Sequence, residues 1–493
     1  MSLDDIRKTK IEKLEKLKKA GIEPYPAVSG RTHIVAQALE NFDKLAESKD
    51  ELTLAGRVMA RRDMGGVIFF DLRDGSTSLT TGESGKIQGF IKEDIVGKET
   101  FSKFLDLIDI GDFIQISGTL FKTKKEEKTL EVKYFKILTK ALLPLPEKWH
   151  GLQDVEERLR ARYLDFIMNP NERELFIKKS KFWNSIRQFL INEGGLEVET
   201  PVLERIPGGA DAEPFKTHLN ALDIDLYLRI SLELNLKRLV IAGYERVFEI
   251  GRIFRNEGID REHLQDYTQM EMYWAYYDYT KLMTVLEKMY RKVIQETLGK
   301  LAHKYQGHEI DWSQTWLEVD YYEVFKEKTG LDLRNISEKE LKKYAEGEGI
   351  DAENHVGRGR LIDIVFKKKV RPYMIQPCFL VKPPVDIEPL AKRWPGDPNR
   401  VERFQIMAGG SELGKGFSEL NDPIDQRQRF EEQTKLREAG DKEAQRMDED
   451  FIEALEYGMP PTAGFGMSER LFAFLMDKPV RETVFFPLMR PRE

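Results

Sequence analysis

The sequence predicts an α+β chain, a small N-terminal β-barrel followed by a larger antiparallel sheet flanked by helices. Three observations carry that expectation. Five short strand-like runs crowd into the stretch from Glu51 to Leu143, with turn residues between them. Beyond Pro144-Leu145-Pro146 the chain mixes amphipathic helical stretches with alternating runs, and lacks the strand–helix–strand rhythm of a parallel sheet. Two runs rich in aromatic and β-branched residues, Val247–Gly258 and Tyr267–Trp274, read as an antiparallel hairpin with a charged connection from Asn256 to Asp266.

The first element is a helix. Ser2-Leu3-Asp4-Asp5 resembles a capping box with Asp in place of Glu. Leu3, Ile6, Ile11, Leu14 and Leu17 follow as an apolar stripe, ended by Gly21 and Pro24. Residues 1–21 hold seven basic and four acidic side chains, a local charge of +3. A solvated amphipathic helix and a cationic arm on nucleic acid both fit that pattern.

The barrel strands are expected at Leu52–Ala60, Val67–Leu72, Ile87–Ile91, Phe113–Phe121 and Leu130–Leu138. Met64-Gly65-Gly66, Asp74-Gly75-Ser76 and Gly82-Glu83-Ser84-Gly85 read as the turns between them. Five short strands suit a Greek-key barrel of the OB type, which binds single-stranded nucleic acid through stacking aromatics and basic side chains. Phe69, Phe70, Arg61, Arg62, Lys122, Lys124 and Lys125 could supply both, and buried phenylalanines with solvated lysines are the other reading.

Bulk composition excludes several classes. A chain of 493 residues with 41% apolar content can bury two or three cores. With 78 basic against 85 acidic residues it carries −7, which argues against a general polyanion binder while leaving room for local basic patches. Met1 to Ala20 is charged throughout, unlike a signal peptide, and no apolar run is long enough to span a bilayer. The only cysteine, Cys378, excludes an internal disulfide and a cysteine-rich metal site. A soluble, cytoplasmic chain is expected.

In the second half, Glu172 to Glu199 reads as a helix leading into a strand. On the hairpin's second strand, Tyr267, Gln269, Glu271 and Tyr273 share one face, and Arg255 arrives at the end of the first. A guanidinium fork beside an aromatic platform suits a nucleotide, while a solvated sheet face with an Arg–Glu pair is the plainer reading. No Walker A or Gly-x-Gly-x-x-Gly pattern is present, so any ATP would sit on an antiparallel sheet. Gly208-Gly209-Ala210 offers close backbone approach. Phe404 to Leu420 reads as two strands around Gly409-Gly410, with Leu413, Lys415, Phe417 and Glu419 on one face. Gly464-Phe465-Gly466 leads into Glu469-Arg470 and the apolar run Leu471–Met476, with Arg470 near a helix start.

Over nearly its whole length the chain resembles the class II aminoacyl-tRNA synthetases, specifically the lysyl enzymes of the aspartate/asparagine/lysine subgroup. Phe176 to Pro201 is similar to the family's first motif, Phe254-Arg255-Asn256-Glu257-Gly258 with the following strand to the second, and Gly464 to Arg470 to the third. Ile206 to Ala210, Leu228-Arg229-Ile230 and Gly416 to Pro423 look like lysyl-enzyme signatures. The resemblance implies an N-terminal helical extension at 1–50, an OB-fold anticodon-binding domain at 51–143, a linker at 144–172 and a class II catalytic domain with the dimer interface at 173–493. It implies ligation of lysine to tRNA(Lys) with ATP as substrate, by a homodimer that needs no membrane.

Residue by residue, the resemblance implies ATP binding by Arg255, Glu257, His263, Tyr267, Glu412 and Arg470, of which Arg255 and Arg470 are catalytic. It implies lysine binding by Gly209, Glu233, Glu271, Tyr273, Phe417 and Glu419. Anticodon contacts fall on Arg62, Phe69 and Gln88, and Mg²⁺ on Glu412 and Gln405. Several positions depart from the lysyl pattern. Lys415 stands where Asn is expected, with Glu388 as one possible partner, in a position that is usually small. Gln405 replaces a Glu that shares Mg²⁺, Glu213 replaces an Arg before Pro214-Phe215, and Glu262 replaces a phosphate-binding Arg beside Arg261. The third motif is one residue short and lacks one glycine. Two alternatives stay open on these grounds: a synthetase or synthetase-like ligase for another amino acid, and a non-catalytic tRNA-binding paralogue.

Overall fold

The computed structural model describes residues 2–77, 84–146, 154–258, 263–352, 357–441 and 443–492. The chain forms two compact units, 1–170 and 171–493.

In the first unit, the helix Leu3–Lys19 starts with the expected capping box. Ser2 Oγ accepts from the Asp5 amide, and the Asp5 carboxylate accepts from the Ser2 amide at 2.9 Å. Leu14 and Leu17 are buried, and two basic side chains turn inward: Lys10 Nζ donates to the Ile110 carbonyl and Lys13 pairs with Asp109 at 2.6 Å. The barrel is closed by strands β1 (Leu52–Asp63), β2 (Val67–Thr77), β3 (Ser84–Lys92), β4 (Phe113–Lys122) and β5 (Lys128–Thr139), in the order β1-β2-β3-β5-β4. Alternate residues such as Leu54, Val58, Ile68, Leu72, Ile91 and Ile116 fill its core, as a pleat of period two dictates.

One sequence expectation needs correction here, and an open reading is decided for two residues. Asp74-Gly75-Ser76 lies inside β2 instead of between strands, and Asp74 Oδ2 accepts from the Val35 amide to start the helix Val35–Glu40. Phe70 is a core residue, 2% exposed. Arg61 donates to the carbonyls of Leu105 and Ile108, so its guanidinium holds a helix end instead of facing outward. That helix, Lys98–Leu107, buries Phe101, Phe104 and Leu107, a spacing of three that the sequence reading passed over. Gly82 and Glu83, read as part of a turn, lie outside the described residues.

The second unit is built on an eight-stranded sheet. Its strands are β6 (Leu196–Glu197), β7 (Arg246–Phe254), β8 (Asp266–Ala275), β9 (Leu317–Asp320), β10 (Cys378–Val381), β11 (Arg403–Ala408), β12 (Ser411–Ser418) and β13 (Thr462–Ser468). Their spatial order is β9-β10-β11-β12-β13-β8-β7-β6. The six central strands are antiparallel, and each edge adds one parallel pair. Alternation divides the sheet's faces. Phe248, Met270, Met272, Trp274 and Phe465 are buried on one face, where the helix Tyr279–Leu298 packs against β12 and β13. The opposite face carries Gln269, Glu271, Tyr273, Gly464 and Gly466, and the site lies there. The helix Pro170–Asn192 precedes β6 as the sequence suggested and buries Phe182, Ile186 and Leu190.

Candidate active site

Register builds the floor of the site. Lys415, Gly466 and Glu271 lie in one row across β12, β13 and β8, and Phe417, Gly464 and Tyr273 lie in the next. On the far side, Gln405 stands opposite Lys415 and Arg403 opposite Phe417. The two glycines leave the middle strand bare. A Cβ at Gly464 would collide with the Glu419 carboxylate and the Tyr273 ring, so only glycine keeps this floor open. A bulge between Ile406 and Met407 pairs Met407 with Glu412, which adds Glu412 to the face that the sequence assigned to Lys415 and Phe417.

Two cavities open on this face. The larger, about 1030 Å³, is lined by Arg255, Glu257, His263, Tyr267, Glu412 and Arg470, and Gln405 also borders it. The smaller, about 250 Å³, is lined by Gly209, Glu233, Glu271, Tyr273 and Phe417. Arg255, Tyr267, Glu412, Lys415 and Arg470 border both, so the cavities meet there. All the sequence-predicted ATP- and lysine-binding residues except Glu419, which is buried beside Gly464, thus border one of two adjoining cavities.

Arg255 follows the last residue of β7; its amide donates to the Gln265 carbonyl and its Nε to the Ile230 carbonyl. Its guanidinium lies 5.7 Å from the centre of the Tyr267 ring. The Gln265 side chain donates to the carbonyls of Glu257 and Gly258, fixing the loop's start. Arg470 opens the helix Arg470–Leu475, with one nitrogen 3.3 Å from His263 Nε2 and its Nε buried without a hydrogen-bond partner among the described residues. Arg261 and Glu262 lie outside the described residues. Glu213 acts through its backbone, its carbonyl accepting from the Asn256 amide.

The smaller cavity is a carboxylate cluster. Glu271 accepts from Ser231 Oγ, the Leu232 amide, Gln269 Nε2 and the Tyr273 hydroxyl, so both its oxygens are fixed. Lys237, absent from the sequence-derived set, is fully buried between Glu233 (2.6 Å) and Glu419 (2.5 Å), and its ammonium lies 5.5 Å from the centre of the Phe417 ring. The signal for it was the i,i+4 spacing of Glu233 and Lys237 on one helix. Burial pushes the Glu233 carboxyl up to about 7 against the pull of Lys237, and pushes Glu419 well above the carboxylate range. Burial opposes the charge on Lys237, but Glu233 and Glu419 outweigh it and hold the ammonium above its ordinary pKa. Burial also raises Tyr273 well above 10.

Lys415 meets the partner named from the sequence: its Nζ lies 2.9 Å from Glu388 Oε2, and Arg403 Nε approaches the same oxygen at 3.4 Å. Burial would raise Glu388, but Lys415 and Arg403 hold it below the usual carboxylate range. Gln405 Nε2 donates to Glu412 Oε2 at 2.6 Å. Among the described residues no group of three or more His, Cys, Asp or Glu side chains is arranged to hold a metal ion. Glu412 alone still fits a magnesium ion that takes its remaining ligands from phosphates and water, whereas the neutral Gln405 amide is a poor partner for it.

On the barrel, Arg62 pairs across strands with Phe69, and Phe69 with Phe90, their ring centres 5.0 Å apart. Gln88 lies opposite Asp71 in the adjoining register and accepts from Thr129 Oγ1. Arg62 is exposed, and Phe69 and Gln88 half-buried, so the three form an outward patch.

Comparison with known sequences places the chain. Residues 154–490 match the tRNA synthetases of class II (D, K and N), and residues 52–138 match the OB-fold nucleic acid binding domain. A protein of Roseiflexus sp. (strain RS-1) named lysine–tRNA ligase is 44% identical, with both chains covered in full. The lysine–tRNA ligases of Moorella thermoacetica (strain ATCC 39073 / JCM 9320) and Thermotoga maritima are 46% and 43% identical, over 99% and 100% of this chain and 99% and 97% of theirs. The chain therefore belongs to the class II tRNA synthetases of the D, K and N group.

Proposed function

We propose that this chain activates L-lysine with ATP to lysyl-adenylate and transfers the lysyl group to the 3′ end of tRNA(Lys). The observation that carries this reading is the place of Arg255, at the junction of an acid-lined cavity and a larger one bordered by Arg470, His263 and Tyr267. An amino acid in the first and a triphosphate in the second would meet at its guanidinium. The lysine carboxylate oxygen attacks the α-phosphorus, the bond from that phosphorus to the bridging oxygen of pyrophosphate breaks, and pyrophosphate leaves. The carboxylate is already ionised at neutral pH, so no general base is required. The residues act by position and charge. Arg255 neutralises the charge that grows on the α-phosphoryl oxygens, Arg470 holds the γ end, and Tyr267 with Glu257 holds the adenine. Glu412 would hold Mg²⁺, which supplies charge neutralisation on the phosphates when bound.

The smaller cavity suits a diamine. The carboxylates Glu233, Glu271 and Glu388 line it and offer acceptors for the amino groups of lysine. Glu419 Oε1, directed over Gly464, is buried with no hydrogen-bond partner among the described residues, an acceptor suited to an ammonium. Gly209, Phe417 and Tyr273 shape the walls. Arg62, Phe69 and Gln88 are read as the anticodon contacts. Exposed Ile177, Ile191, Leu196 and Leu203, around the first motif, suit a second copy of the chain. No described helix is long and apolar enough to cross a membrane.

ATP–pyrophosphate exchange with each amino acid in turn tests the assignment. Exchange that depends on lysine is expected; no exchange with lysine, or an equal rate with another amino acid, overturns it.

A further inference from the structure

The phosphate end of the larger cavity contains an unusual cation. Gln405 and Lys415 face each other across β11 and β12, and the bulge brings Glu412 to the same face. One side chain amide and one ammonium therefore flank a single carboxylate. The amide nitrogen is spent on Glu412, and the ammonium is anchored by Glu388, which is 3% exposed and also faces Arg403. Lys415 nevertheless keeps 41% of its side chain solvent-reachable and borders both cavities. It has a fixed rear anchor and an open front. An ammonium presents three donors, and phosphate oxygens are the acceptors that would stand before it.

We propose that Lys415 is the second cation of the nucleotide site: the chain holds ATP with one divalent ion, on Glu412, and the Lys415 ammonium makes the phosphate contact that a further ion would otherwise make. The inference rests on reading the larger cavity as the ATP site. A second dication beside Lys415 would meet a like charge at close range and would find a neutral amide, Gln405, where a ligand carboxylate is needed. Glu388 is the device that keeps the ammonium charged and aimed.

The test counts ions on the full chain. α,β-Methylene ATP, which cannot transfer its adenylyl group, is bound in the presence of Mn²⁺, and bound Mn²⁺ is quantified by electron paramagnetic resonance. The native chain should bind a single Mn²⁺ with the analogue. Lys415→Met should weaken analogue binding about 10-fold or more, the worth of one charge-assisted contact. Gln405→Glu alone should still bind one ion, since the new carboxylate pairs with Lys415 across the strands. The double variant Gln405→Glu, Lys415→Asn should bind two, which keeps the test sharp even if Lys415→Met folds poorly. Two ions on the native chain, two on Gln405→Glu alone, or unchanged analogue affinity in folded Lys415→Met would overturn the proposal. Failure of the native chain to bind the analogue would overturn the ATP reading itself, and this inference with it.

Discussion

Replacing Lys237 with Met removes a charge while keeping most of the side chain's volume. In the native chain the ammonium is wholly buried and paired with both Glu233 and Glu419. Removing one partner from a buried ion pair costs about 3–5 kcal/mol, a large part of the 5–15 kcal/mol typical of a domain. The two carboxylates can escape by taking up protons, and that escape depends on pH. Glu233 already titrates near 7 in the folded chain against 4.5 in the ordinary carboxyl. Between those values the folded chain holds a proton that the unfolded chain has released, so stability falls as pH rises through the window and levels off above about 7. Without Lys237 the folded pKa moves higher and the decline continues to pH 8, at about 1.4 kcal/mol per pH unit for each carboxyl that stays protonated. The loss should therefore be about 3–5 kcal/mol at pH 8 and about 1–2 kcal/mol smaller at pH 6. Urea titration followed by tryptophan fluorescence measures it in the right place, because five of the six tryptophans lie in residues 171–493. An equal loss at both pH values, or a loss under about 1 kcal/mol at pH 8, would refute the account of Lys237 as the cluster's neutralising charge.

Three further outcomes are expected. Lysine KM should rise as pH drops below about 7, because Glu233 is then protonated and the ligand ammonium loses a charged partner; a flat KM from pH 6 to 8 in the exchange assay would contradict this. Tyr290→Phe should cost about 1–3 kcal/mol in unfolding free energy, since the hydroxyl donates to the buried Leu413 carbonyl at 2.7 Å and its loss leaves that acceptor unpaired. Phe69→Ala should raise KM for tRNA about 10- to 100-fold, the worth of a lost base stack, while leaving ATP–pyrophosphate exchange unchanged. Equal damage to both would indicate a folding defect instead.

Much of this site was legible in the chain because it is built on strands. Period-two alternation put Gln269, Glu271 and Tyr273 on one face, and the same parity put Lys415 with Phe417, as the register bears out. Spacing also identified the two glycines on β13 and Arg470 at a helix start. What escaped was tertiary. Lys237 reads as an ordinary helix-surface lysine until Glu419 arrives from a segment some 180 residues away. Phe70 and Arg61 carry the residue types of a nucleic-acid surface, but the helix Lys98–Leu107 covers one and is held by the other. Asp74-Gly75-Ser76 has turn chemistry, yet its Asp oxygen is spent capping a helix in another part of the unit. Local composition could not reveal which partner would claim each group.

The bulge at Met407 and Glu412 has a consequence for how this chain can change. Without it, Glu412 and Lys415, an odd number of positions apart, would face opposite sides of the sheet. The bulge acts as a reading-frame shift written in backbone: upstream of it one parity faces the cavity, downstream the other. Tyr290 fastens the frame by taking the Leu413 carbonyl in the shifted segment. Leu413, the residue the bulge leaves unpaired, is the slack in that frame. Deleting it would give a regular ladder with Glu412, Lys415 and Phe417 still on the cavity face, but would remove the carbonyl that Tyr290 holds. The hairpin can therefore lose length at that one position without turning its charged side chains away from the cavity.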